Sequence, residues 1–369
     1  MRVGVVGCGA FGLAAALELV GRGHRVVALD RGTVPHPAAS SSDVSKTLQR
    51  LYAHSAATYV ELAERAEPRW RRWQERTGGE PFYHPIGHVV VAGGWAPGQR
   101  GYESAALLGL PVYGTAEARR RFPQLAVHDD EVVCFDAWGG YLASGRAVAA
   151  MAALARADGV ELRASAPVRA VEETAGGVRV ALDGGALVCD RVVVAAGVWI
   201  PGLVPGVPIQ ATRQCMAFFE PEDAALHRPG PLPVWAFDAP DDDGWYGHPL
   251  PDGRVKAADG PLGEPVDPDT HRDASPGFEA RARAFVGRRM PGLARGRLVG
   301  SRSCLYENTP DGHFLIDWAP GSRRVLVAGG GSGHGFKFGG SLGPVIADAL
   351  EEKENPLGSL FRVGRRFAP

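Results

Sequence analysis

The sequence predicts an α/β protein, α+β taken as a whole, in which a discontinuous doubly wound domain is interleaved with a second domain built on an antiparallel sheet. Three observations predict it. The chain opens on a strand–glycine turn–helix–strand unit. Elements of the same kind return near 140–200 and at the C-terminal end. Between them lie strand-rich, aromatic segments.

The opening unit is the clearest. Arg2–Val6 reads as a short buried strand, followed by Gly7-Cys8-Gly9-Ala10-Phe11-Gly12. A helix from Ala10 to Val20 carries Leu13, Leu17 and Val20 at helical spacing. Gly21 and Gly23 end it, and a second strand, Arg25–Leu29, finishes at Asp30. This is G-x-G-x-x-G in its full strand–turn–helix context, with an acid placed to accept hydrogen bonds from a ribose diol. Gly7 permits the tight turn, Gly9 lets a pyrophosphate approach the backbone, and Gly12 lets helix and strand pack closely. The helix N-terminus offers N–H groups to the phosphates. The unit predicts dinucleotide binding and does not distinguish NAD from FAD.

Further along, Pro35–Ser42 reads as a loop. A helix fits 57–74, and Pro68 should kink or split it. Phe82–Val91 and Val132–Phe135 read as strands around a loop near Gly93–Gly101. Ser144 is expected to cap a helix running to about Ala157. Strands follow at Val168–Val171, Val178–Leu182, Leu187–Val188 and Arg191–Ala196. The stretch 209–256 is strand-like, Phe278–Met290 helical, Arg323–Ala328 a buried strand, and Pro344–Glu351 a last helix after a glycine-rich turn.

Composition excludes several functions. Apolar residues are 45% and charged residues 22%, as in ordinary globular proteins. Forty basic against 41 acidic residues leave no surplus to neutralise a nucleic acid. No apolar run is long enough for a membrane span. The chain starts directly on a strand, which predicts no secretory leader. Five scattered cysteines, Cys8, Cys134, Cys189, Cys215 and Cys304, form no disulfide framework. A cytoplasmic monomer is expected. The histidines lack zinc-site spacing, so no metal is expected, and no nucleophile elbow is present. Only four of the basic residues are lysine: Lys46, Lys256, Lys337 and Lys353. Where arginine is so favoured, a retained lysine is a candidate for work that needs an ammonium group.

Beyond the glycine fingerprint, motifs run in order through nearly the whole chain: Asp43-Val44-Ser45-Lys46 through Arg50, Val192–Ala196 with Gly197-Val198-Trp199, Arg213–Phe219, Tyr246-Gly247, Lys256, Cys304-Leu305-Tyr306, Asp311–Asp317 and Ser332–Phe338. In these the chain resembles the monomeric sarcosine oxidase and N-methyltryptophan oxidase family, FAD-dependent amine oxidases of the D-amino-acid-oxidase superfamily. The resemblance implies a glutathione-reductase-like FAD-binding domain over 1–80, 140–208 and 300–369, and a substrate domain over 81–139 and 209–299. It implies oxidation of the C–N bond of a secondary (N-alkyl or cyclic) amino acid, with O2 reduced to H2O2.

Residue roles follow from the same resemblance. Cys304 matches the covalent flavin attachment position, with Arg302 as a source of positive bias. Lys256 matches the oxygen-activating lysine. Lys337 and Arg50 match the pair that holds a substrate carboxylate, and Tyr246 a cavity wall. Lys46 lies where sarcosine oxidases carry an arginine; fructosyl amine oxidases have a lysine in a similar Asp-x-x-Lys setting. The implied cofactor-binding set is Gly7, Gly9, Gly12, Asp30, Arg31, Ser41, Ser42, Lys46, Thr47, Val168, Gly197, Trp199, Cys304, Gly331, Gly333, Gly335, Phe336 and Lys337. One departure stands out. Where sarcosine oxidases place a histidine four residues after the oxygen-activating lysine, this chain has Gly260. That glycine is expected to make room, with Trp235 and Trp245 changing the cavity walls, which implies an amine larger than sarcosine. The alternatives are a fructosyl amino acid oxidase, a flavin-dependent dehydrogenase or tailoring enzyme using another acceptor, and an NAD-dependent dehydrogenase.

Overall fold

The protein was described from a computed structural model covering residues 1–52, 55–99, 101–239, 242, 244–260, 263–354 and 356–365. Positions 240, 241 and 243 of the expected strand-like stretch, and 366–369 of the last expected segment, lie outside the described residues.

A six-stranded sheet forms the first layer. Its order is Leu315–Trp318, Val325–Gly329, Arg191–Val194, Arg2–Val6, Arg25–Leu29, Glu161–Arg163. All neighbours are parallel except the first pair. The valine-rich runs are buried on both faces, as parallel strands require. The opening turn fits the sequence reading closely. Gly7 has φ +98°, which a side chain would strain, and a Cβ on Gly12 would run into the Gly7 carbonyl oxygen. Gly12→Ala is therefore expected to destabilise the protein by about 1–3 kcal/mol or more, the range for overpacking. A melting temperature unchanged from wild type would contradict that packing.

Four helices cover one face: Ala10–Gly21, Ala56–Thr77, Ser144–Ala157 and Gly339–Leu350. They share a core containing Leu13, Tyr59, Trp70, Met151 and Leu342. Pro68 neither splits nor ends the second helix. It sits on the exposed face, as does Glu64, the residue whose carbonyl loses its N–H partner. Ser144 is the first helical residue rather than a cap, and its hydroxyl donates to the Asp43 carbonyl at 2.6 Å. The last helix begins at Gly339, earlier than expected. Its glycines are packing surfaces here, because a Cβ on Gly340 would strike the Ala66 carbonyl and one on Gly343 would lie 2.7 Å from that of Ala14. An antiparallel meander, Val168–Thr174, Gly177–Leu182 and Gly185–Cys189, packs with the valines of the opposite face.

The second large sheet has eight strands, in the order Arg297–Asn308, Gln210–Glu220, Val255–Ala258, Tyr246–Pro249, Val234–Asp238, His88–Ala92, Val132–Asp136, Val112–Gly114. One pair, His88–Ala92 with Val234–Asp238, is parallel and the rest antiparallel. The expected single strand Phe82–Val91 breaks in two at Pro85-Ile86-Gly87. Its first part, Tyr83–His84, joins Lys46–Leu48 and Gly140–Leu142 in a small separate sheet.

Side-chain alternation divides the eight-stranded sheet into two faces. Cys215, Ala217, Phe219, Trp235, Phe237, Trp245, Val255 and Ala257 pack on the helix Phe278–Arg289. Met216, Phe218, Ala258 and Cys304, with Tyr246 and Tyr306 beside them, form the opposite face. Lys256 and His248 face each other in register on neighbouring strands.

Candidate active site

A cavity of about 380 Å³ opens at the carboxyl ends of the parallel strands, where open α/β sheets bind ligands. It is lined by Gly7, Gly9, Asp30, Arg31, Ser41, Lys46, Val168, Gly197, Trp199, Gly331, Gly333, Gly335 and Phe336, all expected from the sequence. Asp30 accepts the Cys8 N–H at 2.9 Å on one oxygen and the Gly32 N–H at 3.1 Å on the other. Each carboxylate oxygen retains acceptor capacity for a diol. Ser41 accepts from the Ala10 N–H at 3.1 Å and so sits at the helix N-terminus.

Five expected cofactor residues stand off the cavity: Lys337, described below, and four others. Gly12 works through packing. Thr47 bonds His248 Nε2 at 2.8 Å. The buried Ser42 hydroxyl has no partner among the described residues. Cys304 lies beneath the cavity wall, 3% exposed. No role was expected from the sequence for Tyr306, named only within the motif Cys304-Leu305-Tyr306, or for Glu307 or Asp269, which all line it. Asp269 accepts from Arg31 Nη1 at 2.7 Å and Trp199 Nε1 at 2.8 Å, so it ties two expected cofactor residues to a loop outside the parallel sheet.

Next to the cavity lies a buried charge cluster. Asp43 Oδ2 accepts from Lys256 Nζ at 2.6 Å and lies 3.3 Å from Lys46 Nζ. Lys256 also donates to the Ser45 carbonyl at 3.0 Å. Lys46 Nζ sits 3.6 Å from Cys304 Sγ, so the cation beside the sulfur is Lys46 rather than the expected Arg302. Burial opposes the charge on Asp43, but Lys256 and Lys46 outweigh it and hold the carboxyl well below the usual range. Burial pulls Lys256 below its ordinary value, with Asp43 acting against that pull. Lys46 is raised: burial opposes its charge, and Cys304 and Asp43 overcome the penalty. Two ammonium groups and one carboxylate thus leave surplus positive charge under the cavity.

His248 closes this cluster. It is fully buried between Ser45 Oγ and Thr47 Oγ1, both at 2.8 Å. Burial, then Lys256, drive its pKa well below the ordinary range, so the imidazole is neutral. Tyr246 and Tyr306 join their hydroxyls at 2.9 Å, and Lys256 Nζ lies 5.9 Å from the Tyr246 ring centre.

Lys337 is not among the residues that line the dinucleotide cavity. Its ammonium donates to the His334 carbonyl at 2.7 Å and faces the rings of Phe338 and Tyr52 at 5.0 and 5.6 Å. Its own carbonyl accepts Trp70 Nε1 at 2.7 Å. Arg50 is redirected relative to expectation. Asp136 takes its Nε and Nη2 in bidentate fashion at 3.0 and 2.7 Å, Glu64 takes Nη1 at 2.6 Å, and Trp138 stacks at 4.8 Å. The edge expected to grip a substrate carboxylate is already occupied by a buried acid.

Two expectations about the cavity walls are overturned. A Cβ on Gly260 would strike the Gly244 carbonyl, so backbone fills the place of the missing side chain and no room is made. Trp235 and Trp245 stack on Phe285 at 5.7 and 4.5 Å, on the far side of the sheet.

The family model of FAD dependent oxidoreductases (DAO) matches residues 2–349. The chain belongs to this FAD-dependent oxidoreductase family. It is 28% identical to an N-methyl-L-tryptophan oxidase of Yersinia pestis over 370 residues, covering 98% of each chain. Its fold is similar to that of fructosamine oxidase (Amadoriase II) of Aspergillus fumigatus, with a TM-score of 0.82 at 22% identity over 98% of this chain and 89% of that one. It is equally similar to NikD, an unusual amino acid oxidase of nikkomycin biosynthesis, with a TM-score of 0.82 at 22% identity over 98% and 96%.

For an FAD-dependent oxidoreductase the residues present fit the cofactor. The glycine turn and helix N-terminus suit the pyrophosphate, and Asp30 suits a ribose. The Tyr306 ring lies so close over Gly333 that a Cβ there would collide with it. Glu307 Oε2 is a buried acceptor with no partner among the described residues. Burial pushes its carboxyl up to about 7, against the Gly331 and Gly330 N–H groups. Its folded pKa therefore exceeds the ordinary 4.5. The stabilising contribution is complete below about 4.5 and is lost as pH rises through about 7. The flavin-free chain should lose on the order of 2–3 kcal/mol across that window that Glu307→Gln does not lose. Melting curves of both proteins across that pH range check this, and parallel pH profiles would contradict it.

No helix among the described residues is long and apolar enough to cross a membrane. No group of three or more His, Cys, Asp or Glu among them could hold a metal ion.

Proposed function

We propose that the chain oxidises the C–N bond of a secondary amino acid, N-alkyl or cyclic, to an imine, with O2 reduced to H2O2 and FAD attached through Cys304. The buried Lys256–Asp43–Lys46 cluster against Cys304, beside the dinucleotide cavity, is the observation that carries this reading. FAD, when bound, would supply the two-electron acceptor: the CH–NH unit gives up a hydride equivalent and a proton to become the imine, O2 takes up two electrons and two protons to leave as H2O2, and water hydrolyses the imine.

The protein's own groups do the rest. Lys46 places an ammonium 3.6 Å from the Cys304 sulfur, the atom that would form the thioether. Lys256 keeps a fixed, water-excluded ammonium on the face shared by Cys304 and Tyr246, where negative charge develops as oxygen is reduced. Asp43 holds both ammonium groups in place. Tyr246 and Tyr306 stay neutral, since burial pushes both phenols up, and they present a flat wall with a linked hydroxyl pair. Lys337 supplies the cation for the substrate carboxylate. Arg50 is tied to Asp136 and Glu64 and is not assigned a part in holding that carboxylate. The division into a cofactor unit over 1–80, 140–208 and 300–369 and a substrate unit over 81–139 and 209–299 belongs to the same reading, with the strand Arg297–Asn308 carrying Cys304 across the boundary at 300.

An oxygen electrode and a peroxide assay, run with N-methyl amino acids, cyclic imino acids and an Amadori product, test the proposal. Oxygen uptake with matching peroxide on an N-alkyl or cyclic amino acid is expected. Turnover of the Amadori product alone would move the assignment to a fructosyl amino acid oxidase, a reading that the Asp43-x-x-Lys46 spacing favours. Flavin bleaching without oxygen uptake would instead indicate a dehydrogenase.

A further inference from the structure

Glu307 stands three residues beyond Cys304 on the strand Arg297–Asn308, and its side chain lines the dinucleotide cavity. The carboxyl is seated against the glycine turn that follows the strand Val325–Gly329. The N–H groups of Gly331 and Gly330 bond it, and a Cβ on Gly331 would lie only 2.9 Å from Oε1. Oε2 faces the backbones of Gly329 and Gly197, where added Cβ atoms would lie 3.3 and 3.6 Å away. That oxygen is sealed from solvent and has no hydrogen-bond partner among the described residues. A buried acceptor left in this state is costly, and the cost is removed by a donor arriving with the ligand.

Position identifies the donor. Gly197 comes after Arg191–Val194, the neighbour of Arg2–Val6, and Gly329 ends Val325–Gly329, one strand further out, on the side of the sheet away from Arg25–Leu29 and Asp30. Oε2 therefore lies past the Gly7–Gly9 phosphate turn, on the side that leads to Tyr306 and Cys304. Between a pyrophosphate at one end and a ring at the other, FAD carries a chain of hydroxyl groups. We propose that Glu307 grips this polyol segment, with Oε2 accepting a hydrogen bond from one of its hydroxyls. The proposal rests on the reading that the cavity holds FAD. Burial already biases Glu307 against ionisation, which marks the site as one that lacks a partner rather than one built to repel.

The test compares riboflavin with lumiflavin, which has the same ring and no polyol. Full-length Cys304→Ala protein, freed of flavin so that binding stays reversible, is titrated with each by fluorescence quenching, with and without Glu307→Ala. Glu307→Ala is expected to weaken riboflavin by about tenfold, the upper end for one lost uncharged hydrogen bond, and lumiflavin by less than about twofold. Glu307→Gln, which keeps the shape, serves as the folding control and should bind lumiflavin as the parent does. Equal weakening of both ligands, or of neither, overturns the proposal while leaving the FAD reading intact. A parent protein that takes up neither ligand overturns both.

Discussion

Replacing Cys304 with alanine is expected to abolish acid-stable flavin. Wild-type protein precipitated with acid should keep its yellow colour in the pellet, whereas Cys304→Ala should release all of it to the supernatant. The effect is all-or-none because a thioether survives denaturation and non-covalent contacts do not. The geometry makes Cys304 the candidate among five buried cysteines. Burial raises Cys8, with Asp30 adding to it, and raises Cys134 to about 12, so neither supplies a thiolate. Cys304 alone of these three has an ammonium at 3.6 Å, on a residue that lines the cavity. Lys46→Met should therefore slow attachment as well, even with the sulfur present. Wild-type protein that sheds its flavin completely in acid would refute the linkage.

Lys256→Met should slow reoxidation of the reduced enzyme by O2 roughly 10²–10³-fold, the usual cost of losing one preorganised charge or donor, and slow reduction by substrate by less than about tenfold. Stopped-flow measurement of the two half-reactions separates them. The ion pair complicates a single substitution. Lys256→Met leaves the buried Asp43 with Lys46 at 3.3 Å as its remaining ammonium, and breaking a buried pair costs about 3–5 kcal/mol. The double variant Lys256→Met with Asp43→Asn removes the buried acid as well. If oxygen reactivity returns in the double variant, the charge on Lys256 is not what oxygen needs. Equal slowing of both half-reactions would likewise count against the assignment.

The two halves of the molecule were unequally legible. The nucleotide end was readable because backbone geometry there is written directly in residue type: only glycine fits at Gly7 and Gly12, and Asp30 follows at a fixed chain distance. The face of the eight-stranded sheet was misread at Trp235 and Trp245 although the sequence holds the correcting signal. Trp245 adjoins Tyr246, and adjacent strand residues point to opposite faces, so both could not line one cavity. Gly260 and Arg50 were misread for a different reason. What fills the space beside Gly260 is the Gly244 backbone, and what occupies Arg50 is Asp136, 86 residues away in sequence. Tertiary partners at that distance leave no local pattern. Asp43, named within a motif, and His248 were given no role for the same cause: Lys256 meets Asp43 only when the strand Val255–Ala258 packs against the segment 43–47, and His248 only through its register with the neighbouring strand.

Anaerobic titration of the purified yellow protein with an N-alkyl or cyclic amino acid tests the central claim most directly. The flavin absorbance should bleach on mixing, return when oxygen is admitted, and leave one equivalent of peroxide for each equivalent bleached. Protein that carries no flavin, or flavin that no secondary amino acid bleaches, would contradict the account.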